Sequence, residues 1–306
     1  MNSPGISVII VSYNAFDYLD KCIATLLLQK NIDLEIIVVD NNSPDGTVDL
    51  LVKKYPSVKV IASKKNLGFS GGNNVGIKQA TKDAVLLLNP DTELIENDSL
   101  AKMSEHLLSD TNIGILAPML LNTDGTFQAS FWDFPSVADI VSELFYLHRI
   151  QKKDAPLLPN PVPAASGAAL CLTKTLADEL GGLDENMFWM EDTDLCFRAT
   201  EAKKQVIYYP DIRIIHHGGK SSANNYSISI PNQVMSKIKY FKKNASWLKF
   251  ISSDILTFFF ILSRLLVFAI LSLSVNTMYK LKTKAYFTAL VYYFRYNFGG
   301  NKEIIR

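Results

Sequence analysis

The chain has 306 residues and 48% of them are hydrophobic, so it is long enough to form a large core and is not expected to be disordered. Its 31 basic and 30 acidic residues give a net charge of +1, which excludes a globally basic nucleic-acid-binding protein. The three cysteines are far apart in apolar sequence without a CxxC pair, as in a reduced cytoplasmic protein. The first residues are not expected to act as a secretory signal, because they lack its basic segment and uninterrupted apolar stretch.

The first third of the sequence alternates apolar runs with amphipathic segments. The pattern predicts strands over 6–11, 34–40, 58–61 and 84–88. It predicts helices over 18–27 and 48–55, then a glycine-rich loop over 66–76 and a helix that ends at 76–81. Such alternation is typical of a mostly parallel sheet with right-handed crossovers, as in nucleotide-binding α/β folds.

Polar residues follow each predicted strand where it reaches the carboxyl edge of the sheet. They are Ser12, Tyr13 and Asn14, then Asp40 and Asn41, then Asn66, and finally Asp91. Ligands of open α/β sheets bind at this edge. Asp40 is a candidate acceptor for a ribose hydroxyl or a base N–H, with an ordinary turn residue as the alternative.

The segment 84–92 is the most informative of these strand ends. Its apolar run fits a strand buried on both faces, and Asn89-Pro90 forces a turn that delivers Asp91 to the sheet edge. A carboxylate there is suited to hold Mg²⁺ or Mn²⁺ against a diphosphate, because such cations need only one or two ligands from the protein. The alternative is a helix-capping Asp in an ordinary loop.

After Asp91 the pattern becomes mixed. The sequence predicts a helix over 100–108, a strand over 113–121, a hairpin turn at 122–125 leading to 126–131, and short strands over 205–209 and 212–215. The proline-rich segment 132–163 has no long period and is predicted to be a mobile or substrate-shaped excursion. Residues 164–173 are small and apolar, so they are expected to return to the interior.

A second carboxylate cluster begins at Glu191 and Asp192, which are predicted to open a helix that runs to about 203. Capping of the helix dipole accounts for one or two acidic residues. Capping does not account for the adjacent Phe188 and Trp189. Aromatic rings beside a carboxylate form a surface for stacking a sugar, and by desolvation they raise the pKa of a base.

The third acid of this cluster, Asp194, is expected to point elsewhere. Residues two apart diverge by about 200° around a helix, so Asp192 and Asp194 do not share a face. Asp194 is then free to cap the helix or to pair with Arg198. Further on, His216 and His217 stand at a strand end in a chain with only four histidines, which favours metal or phosphate ligands over core histidines.

Taken in order, these segments resemble the family 2 glycosyltransferases of GT-A fold, most closely their bacterial rhamnosyltransferase-like branch. The resemblance covers residues 5 to about 222 and is carried by 7–14, 38–43, 66–69, 73–76, 88–92, 182–184, 191–198 and 216–221. It implies an α/β GT-A fold with a mixed, mostly parallel central sheet. It also implies inverting transfer from a nucleotide-diphospho-sugar, a dTDP- or UDP-sugar, with Mg²⁺ or Mn²⁺ as cofactor.

The resemblance also implies roles for individual residues. Asp192 would be the general base, with Trp189 and Glu191 in the acceptor pocket. Asp91 would bind the metal, and His216 would be a second ligand because Asn89 occupies the first position of the family's D-x-D motif. The residues that would bind the nucleotide-sugar are Ser12, Tyr13, Asn14, Asp40, Asn66, Gly68, Asn73, Asn89, Lys220 and Ser221.

The carboxyl-terminal quarter has a different composition. Lysines interleave with aromatic residues after Pro231, and residues 255–275 are apolar with Arg264 as their only charge. The length is enough to span a bilayer, but the central Arg264 and basic flanks on both sides favour a helix lying in one leaflet. A buried helical hairpin or a dimer surface is the alternative. The predicted division is a catalytic domain at 1–230 and a membrane-associating region at 231–306.

The sequence therefore predicts a peripheral or monotopic glycosyltransferase on the cytoplasmic face of the plasma (inner) membrane. It would add a sugar, rhamnose or another deoxysugar, to a lipid-linked (polyprenyl-diphosphate) glycan of an O-antigen or capsule-type polysaccharide, with no nucleic-acid partner. One alternative is a nucleotidyltransferase, which would need a basic glycine-rich loop where Ser12-Tyr13-Asn14-Ala15 stands. The other is a nucleotide-sugar-binding membrane scaffold without catalysis.

Overall fold

The computed structural model describes residues 4–145, 155–218, 225–274 and 276–299. The chain forms two compact units. The sheet unit comprises Met1–Phe134, Lys153–Glu185 and Glu191–Gly218. The helical unit comprises Pro135–Lys152, Asn186–Met190 and Gly219–Arg306.

The sheet unit contains all the strands of the described residues. They are β1 (Gly5–Ser12), β2 (Asp33–Asp40), β3 (Lys59–Ala62), β4 (Ala84–Leu88), β5 (Thr92–Leu94), β6 (Ile113–Leu121), β7 (Phe131–Trp132), β8 (Asn160–Pro161), β9 (Ala164–Ala165), β10 (Ala169–Thr173) and β11 (Gln205–His216). Its helices are α1 (Phe16–Leu27), α2 (Thr47–Lys54), α3 (Gly68–Gln79), α4 (Ser99–Ser109), α6 (Lys174–Glu179) and α7 (Glu191–Glu201).

The main sheet has the strand order β3-β2-β1-β4-β10-β6-β11-β5, with β8 beside β11. β1 pairs in parallel with β2 and β4, and β6 with β11, whereas β10 runs antiparallel to its neighbours. β4 is buried at every position, because helices cover both faces of the parallel strands. The predicted mixed, mostly parallel α/β sheet is therefore confirmed.

The glycine-rich segment departs from the prediction, because α3 already begins at Gly68 and no loop runs to residue 76. A Cβ on Gly72 would lie 2.6 Å from Val11 Cγ1, and one on Gly76 would lie 2.3 Å from Ile9 Cγ2. These glycines therefore let the helix pack directly on β1. Their helix propensity is low, but close packing against the sheet outweighs it.

Three further elements differ from the sequence pattern. Thr92–Leu94 forms a strand, β5, that was not predicted, and the two short strands expected over 205–215 are one strand, β11, with a register shift between Tyr209 and Arg213. The turn at 122–125 is present, but only a single bridge, Leu121 with Phe127, follows it. The excursion over 132–163 contains the helix α5 (Val137–Leu144), and residues 146–154 of it lie outside the described residues.

The helical unit consists of α5 with α8 (Tyr226–Asn244), α9 (Trp247–Leu271) and α10 (Thr277–Phe298). Its core includes Val234 and Ile238 of α8, Ile261 of α9 and Ala289 of α10. Among the described residues, α9 alone is long and apolar enough to cross a membrane, with a mean hydropathy of 2.2. Arg264 in the middle of α9 is only 5% exposed, and its guanidinium donates to the Glu143 carbonyl of α5.

Candidate active site

The predicted metal ligands Asp91 and His216 lie together at the carboxyl edge of the sheet. The antiparallel pairing of β5 with the end of β11 sets Thr92 opposite His216. The His217 N–H donates to the Asp91 carbonyl at 2.9 Å, which fixes the turn that carries the carboxylate. The Nε2 atom of His216 is then 3.3 Å from Asp91 Oδ1, and both side chains are partly exposed.

Gln128 sets the orientation of the His216 ring. The Gln128 amide nitrogen donates to Asn122 Oδ1 at 3.0 Å and to the His216 carbonyl at 3.2 Å. Its Oε1 therefore faces His216 Nδ1, at 2.7 Å, and accepts the hydrogen of that nitrogen. Because Nδ1 carries the hydrogen, the lone pair of Nε2 points toward the Asp91 carboxylate.

This pair of acceptors fits a divalent cation. A carboxylate oxygen and an imidazole lone pair 3.3 Å apart repel each other unless a proton or a cation lies between them. In the described part of the chain, no group of three or more His, Cys, Asp or Glu residues could hold a metal alone. Two protein ligands nevertheless match Mg²⁺ or Mn²⁺ sites that are completed by water and phosphate oxygens.

Two hydrogen bonds through the segment 167–168 connect Asp192 to that edge of the sheet. The Asn89 N–H donates to the Ala168 carbonyl at 2.9 Å, and the neighbouring Gly167 N–H donates to Asp192 Oδ2, also at 2.9 Å. A Cβ on Gly167 would lie 3.3 Å from Asp192 Cβ, so glycine allows this close approach. The segment 167–168 thus connects the turn before Asp91 to the carboxylate of Asp192.

Burial raises the pKa of the Asp192 carboxyl above its ordinary value. The backbone N–H groups of Gly167 and Thr193 oppose this shift, because they donate to the ionised form. Burial nevertheless outweighs them. A carboxylate of raised pKa is a stronger proton acceptor than an exposed Asp, which suits a general base.

Asp194 faces away from Asp192, as the helical geometry predicts. Its side chain is completely buried and its Oδ2 accepts from Arg198 Nε at 2.7 Å. The same guanidinium donates to the Leu180 and Gly182 carbonyls at 2.7 and 2.8 Å. The predicted pairing of Asp194 with Arg198 is confirmed, and it ties α7 to the glycine turn before it.

Substitution of Asp194 by Asn should therefore lower stability rather than remove chemistry. We expect the free energy of unfolding to fall by about 3 kcal/mol, because the mostly buried Arg198 guanidinium loses its counter-charge. The measurement is urea unfolding of the full chain. Asp178→Asn is the matched control, since Asp178 pairs with Lys174 on an exposed helix face and should change stability by less than about 1 kcal/mol. Equal losses for the two variants would contradict the structural role of Asp194.

The two predicted acceptor-pocket residues belong to different units. Glu191 begins α7 of the sheet unit. Trp189 is part of the helical unit, where it is 40% exposed and has a φ of +93°. A bulky side chain at positive φ is strained by roughly 1–3 kcal/mol. Ser236 Oγ accepts from the Phe188 N–H and donates to the Phe188 carbonyl. These two hydrogen bonds fix the backbone next to Trp189.

The predicted nucleotide-sugar residues divide by exposure. Ser12, Asp40 and Asn73 are buried, and each has a side-chain oxygen without a hydrogen-bond partner in the described structure. Tyr13 and Asn14 are exposed, and the Asn14 N–H donates to Ser43 Oγ. Buried acceptors beneath an exposed polar rim suit a site that receives N–H or O–H groups of a ligand.

Three further nucleotide-sugar candidates lie at the start of α3 and just after β4. Asn66 is exposed and its Oδ1 accepts from the Gly68 N–H at 2.8 Å. Gly68 has a φ of +73° with open space where a Cβ would be. The Asn89 amide nitrogen lies 3.4 Å from His216 Nε2. Lys220 and Ser221 lie outside the described residues.

Sequence reasoning missed Gln128 and Gly167, and it placed Asn41 at the sheet edge without giving it a role. Asn41 accepts from the Leu67 N–H and donates to the Gly68 carbonyl, so it fixes the start of α3. Gln128 and Gly167 carry no local signal, because each acts through a partner far away in the chain.

Comparison with known proteins identifies the family of the chain. Residues 7–174 match the family model described as Glycosyl transferase family 2. The chain is 26% identical over 239 residues to N-acetylglucosaminyl-diphospho-decaprenol L-rhamnosyltransferase of Mycobacterium tuberculosis, which covers 71% of this chain and 78% of that protein. It is 28% identical over 199 residues to low-salt glycan biosynthesis hexosyltransferase Agl10 of Haloferax volcanii, covering 63% of this chain and 61% of that protein.

Solved structures give the same fold. A mannosyltransferase from Pyrobaculum calidifontis, in complex with GDP-Man and Mn²⁺, matches with a TM-score of 0.59 at 16% identity, over 97% of this chain and 88% of that chain. GalNAc-T7 with UDP, GalNAc and Mn²⁺ matches with a TM-score of 0.55 at 17% identity, over 78% of this chain and 49% of that chain.

The fold is of GT-A type, as in these two structures. The chain belongs to glycosyl transferase family 2, in its rhamnosyltransferase-like branch.

Proposed function

We propose that this glycosyltransferase moves rhamnose, or another deoxysugar, from a dTDP- or UDP-sugar to a lipid-linked diphosphate-bearing glycan. The product would be a precursor of a surface polysaccharide of O-antigen or capsule type. The relative from Mycobacterium tuberculosis, named for rhamnosyl transfer to a diphospho-decaprenol acceptor, supports the substrate classes. The observation that carries the mechanism is the short path from the 89–91 turn through 167–168 to Asp192.

In this proposal the acceptor hydroxyl gives its proton to Asp192 as its oxygen attacks the anomeric carbon of the donor. The raised pKa of Asp192 makes it an effective acceptor near neutral pH. Asp91 and His216 would hold Mg²⁺ or Mn²⁺, which neutralises the charge of the departing diphosphate. The buried oxygens of Asp40 and Ser12 would receive hydrogen bonds from the nucleoside. Attack opposite the leaving group inverts the anomeric centre.

A screen of nucleotide-sugars tests this assignment of the donor. Thermal shift of the full chain with dTDP-, UDP- and GDP-sugars, with and without Mn²⁺ or Mg²⁺, should select a dTDP- or UDP-deoxysugar and should require the metal. Slow hydrolysis of that donor to free sugar and nucleoside diphosphate should accompany binding. Formation of nucleoside triphosphate on adding inorganic diphosphate would indicate a nucleotidyltransferase instead, and binding without any hydrolysis or transfer would indicate a scaffold.

The adjacent histidines should differ in their effect on the metal. His217 Nε2 lies 2.6 Å from Glu93 Oε1, so this carboxylate engages it away from Asp91. His216→Ala should therefore raise the metal concentration needed for donor binding by about tenfold or more, and His217→Ala by much less. Titration of Mn²⁺ against donor binding measures both. Equal titration curves for the two variants would remove the distinction.

Gln128→Leu extends this comparison to the residue that orients His216. Loss of the Oε1 acceptor frees the imidazole to place its hydrogen on Nε2, which then cannot bind a metal. We expect a weakening of metal affinity in the same direction as for His216→Ala, with the protein still folded. Unchanged metal affinity in Gln128→Leu would show that Gln128 does not position the ring.

Membrane association through the carboxyl-terminal region, 231–306, stays a prediction, as does placement on the cytoplasmic face of the plasma membrane. Leu266 and Ile270 of α9 and Leu273 beyond it are 57%, 69% and 87% exposed. Changing all three to Ser should weaken vesicle binding by at least about tenfold, since each buried leucine contributes about 1.5–3 kcal/mol. Sedimentation with anionic vesicles measures this.

The matched control for the membrane experiment changes three exposed leucines of the sheet unit, Leu27, Leu50 and Leu108, to Ser. This control should leave vesicle binding intact. High salt should release only part of the wild-type protein, because apolar burial is not screened. An equal loss of vesicle binding in the two triple variants would show that the membrane anchor lies elsewhere in the chain.

A further inference from the structure

The helical unit contains a cavity of about 520 Å³ formed by α5, α8, α9, α10 and the segment of Trp189 and Met190. A second cavity of about 320 Å³ adjoins it, because Trp189, Ile230, Gln233 and Tyr286 line both. The two together are called the helical cleft. A volume of this size is typical of pockets for small organic ligands.

The walls of the helical cleft carry an excess of positive charge. Lys237 Nζ lies 2.6 Å from Glu143 Oε2, and the Arg264 guanidinium donates to the Glu143 carbonyl and lies 4.9 Å from the Phe260 ring centroid. Lys282 lines the adjoining cavity beside the Tyr226 and Phe268 rings. Three cations thus face one carboxylate among the lining residues, so the cleft favours an anion.

The other lining residues of the helical cleft are mostly apolar or aromatic. They include Ile140, Met190, Ile230, Val234, Phe260 and Tyr286. The helices that form the cleft also expose large apolar side chains, such as Phe259 of α9 and Phe287 of α10. A ligand that satisfies both features combines an anionic head with an apolar chain, because neither a free anion nor a hydrocarbon uses all of the surface.

Residues of the helical cleft lie close in the sequence to the catalytic carboxylate proposed above. Trp189 and Met190 line the cleft and precede Asp192 by only three and two residues. Trp189 is also held at a positive φ, and strain of this kind is concentrated at ligand clamps. An aromatic ring in that position suits stacking against a sugar.

We propose that the helical cleft binds the prenyl-diphosphate end of the acceptor, an inference that rests on the proposed function. The diphosphate lies against Lys237, Arg264 and Lys282, the first isoprene units lie along the apolar wall, and the sugar to be glycosylated lies at Trp189. The cleft is therefore the specificity site for a lipid-linked acceptor over a soluble glycan.

The test uses farnesyl diphosphate, a short prenyl diphosphate, with the full 306-residue chain in detergent. EDTA is present and the donor is absent, so that Asp91 and His216 cannot hold a diphosphate through a metal. Isothermal calorimetry should show that farnesyl diphosphate binds at least about tenfold more tightly than inorganic diphosphate or farnesol, because only it provides both head and tail. An equal affinity for either fragment would overturn the proposal.

Gln233→Glu places a negative charge in the helical cleft without disturbing the core, since Gln233 is exposed and lines both cavities. It should weaken farnesyl diphosphate binding by about tenfold or more. Ser227→Glu is the matched control, because Ser227 is exposed on the same helix and lines neither cavity. It adds the same charge and should change affinity by less than about twofold. Equal affinities of the two variants would overturn the assignment of the site.

Competition with phosphatidylglycerol separates the proposed ligand from membrane lipid of the same charge. An excess of phosphatidylglycerol should not displace farnesyl diphosphate, and full displacement would make the cleft a general lipid site and overturn the proposal. A failure of the cleft proposal can be distinguished from a failure of the proposed function. If the protein transfers sugar to a lipid-linked acceptor but Gln233→Glu still binds farnesyl diphosphate normally, the cleft proposal alone is refuted. If farnesyl diphosphate binds specifically but no sugar is transferred, the proposed function is refuted.

Discussion

Replacement of Asp192 by Asn is expected to lower the rate of sugar transfer by about 10²-fold or more and to leave donor affinity nearly unchanged. Asparagine keeps the size of the side chain and can still accept from the Gly167 N–H, but it cannot take the proton of the acceptor hydroxyl. Measuring kcat together with the donor Kd separates the loss of chemistry from a loss of binding. Glu191→Gln is the control and should retain most of its turnover.

The same substitution should change the pH dependence of stability. The pKa of Asp192 is raised by folding, so between its ordinary and its raised value the folded chain holds more protons than the unfolded chain. The contribution of this group to stability is therefore present at low pH and is lost as pH rises through that window. Asp192→Asn should remove this loss, so its Tm near neutral pH should equal or exceed that of the parent protein.

Transfer by the parent protein should depend on the same ionisation. The rate should fall as pH drops below the raised pKa of Asp192, because the protonated carboxyl cannot act as a base. Near-normal turnover in Asp192→Asn, together with a large loss in Glu191→Gln, would show that the base is the neighbouring carboxylate.

Replacement of Asp91 by Ala is expected to abolish the metal-dependent part of donor binding. Asp91 is the only carboxylate within the 89–91 turn, and His216 alone does not hold Mg²⁺ or Mn²⁺ firmly. Calorimetry with the nucleotide-sugar in the presence and absence of Mn²⁺ measures this part directly. Binding through the nucleoside should persist at a lower affinity.

Glu93→Ala is the matched control for Asp91→Ala. Glu93 also lies in the segment between β4 and α4, but its carboxylate contacts the His217 ring and not the His216 ring. The metal-dependent part of donor binding should therefore survive in Glu93→Ala. A folded Asp91→Ala variant whose affinity in Mn²⁺ matches that of the parent would show that the cation is held elsewhere.

Much of the sheet unit could be predicted because its signals are local. The apolar run 84–88 and the polar residues after it identify a buried strand and its carboxyl edge without knowledge of any neighbour. The opposite directions of Asp192 and Asp194 follow from helical periodicity alone, and the Asp194–Arg198 pair confirms them.

The features that could not be predicted depend on contacts between distant segments. The low helix propensity of glycine predicts a loop for the glycine-rich segment. In the structure, the segment is a helix that packs so closely on Val11 and Ile9 of β1 that only glycine fits there. Gln128 has no motif, because its role exists only where β11 brings His216 to it. The helix α5 lies in a proline-rich segment that does not predict a helix, and the capping box of Ser136 and Asp139 is the local signal that indicates its start.

The most direct test of the central claim is to incubate the purified full-length protein with dTDP-rhamnose, Mn²⁺ and a polyprenyl-diphosphate-linked N-acetylglucosamine. The product is then followed by mass spectrometry and by the anomeric signals in NMR. We predict transfer of one deoxysugar with inversion of the anomeric centre, dependent on Mn²⁺ or Mg²⁺ and on Asp192. Transfer with retention of configuration, or full activity in EDTA, would contradict a metal-assisted single displacement with Asp192 as the base.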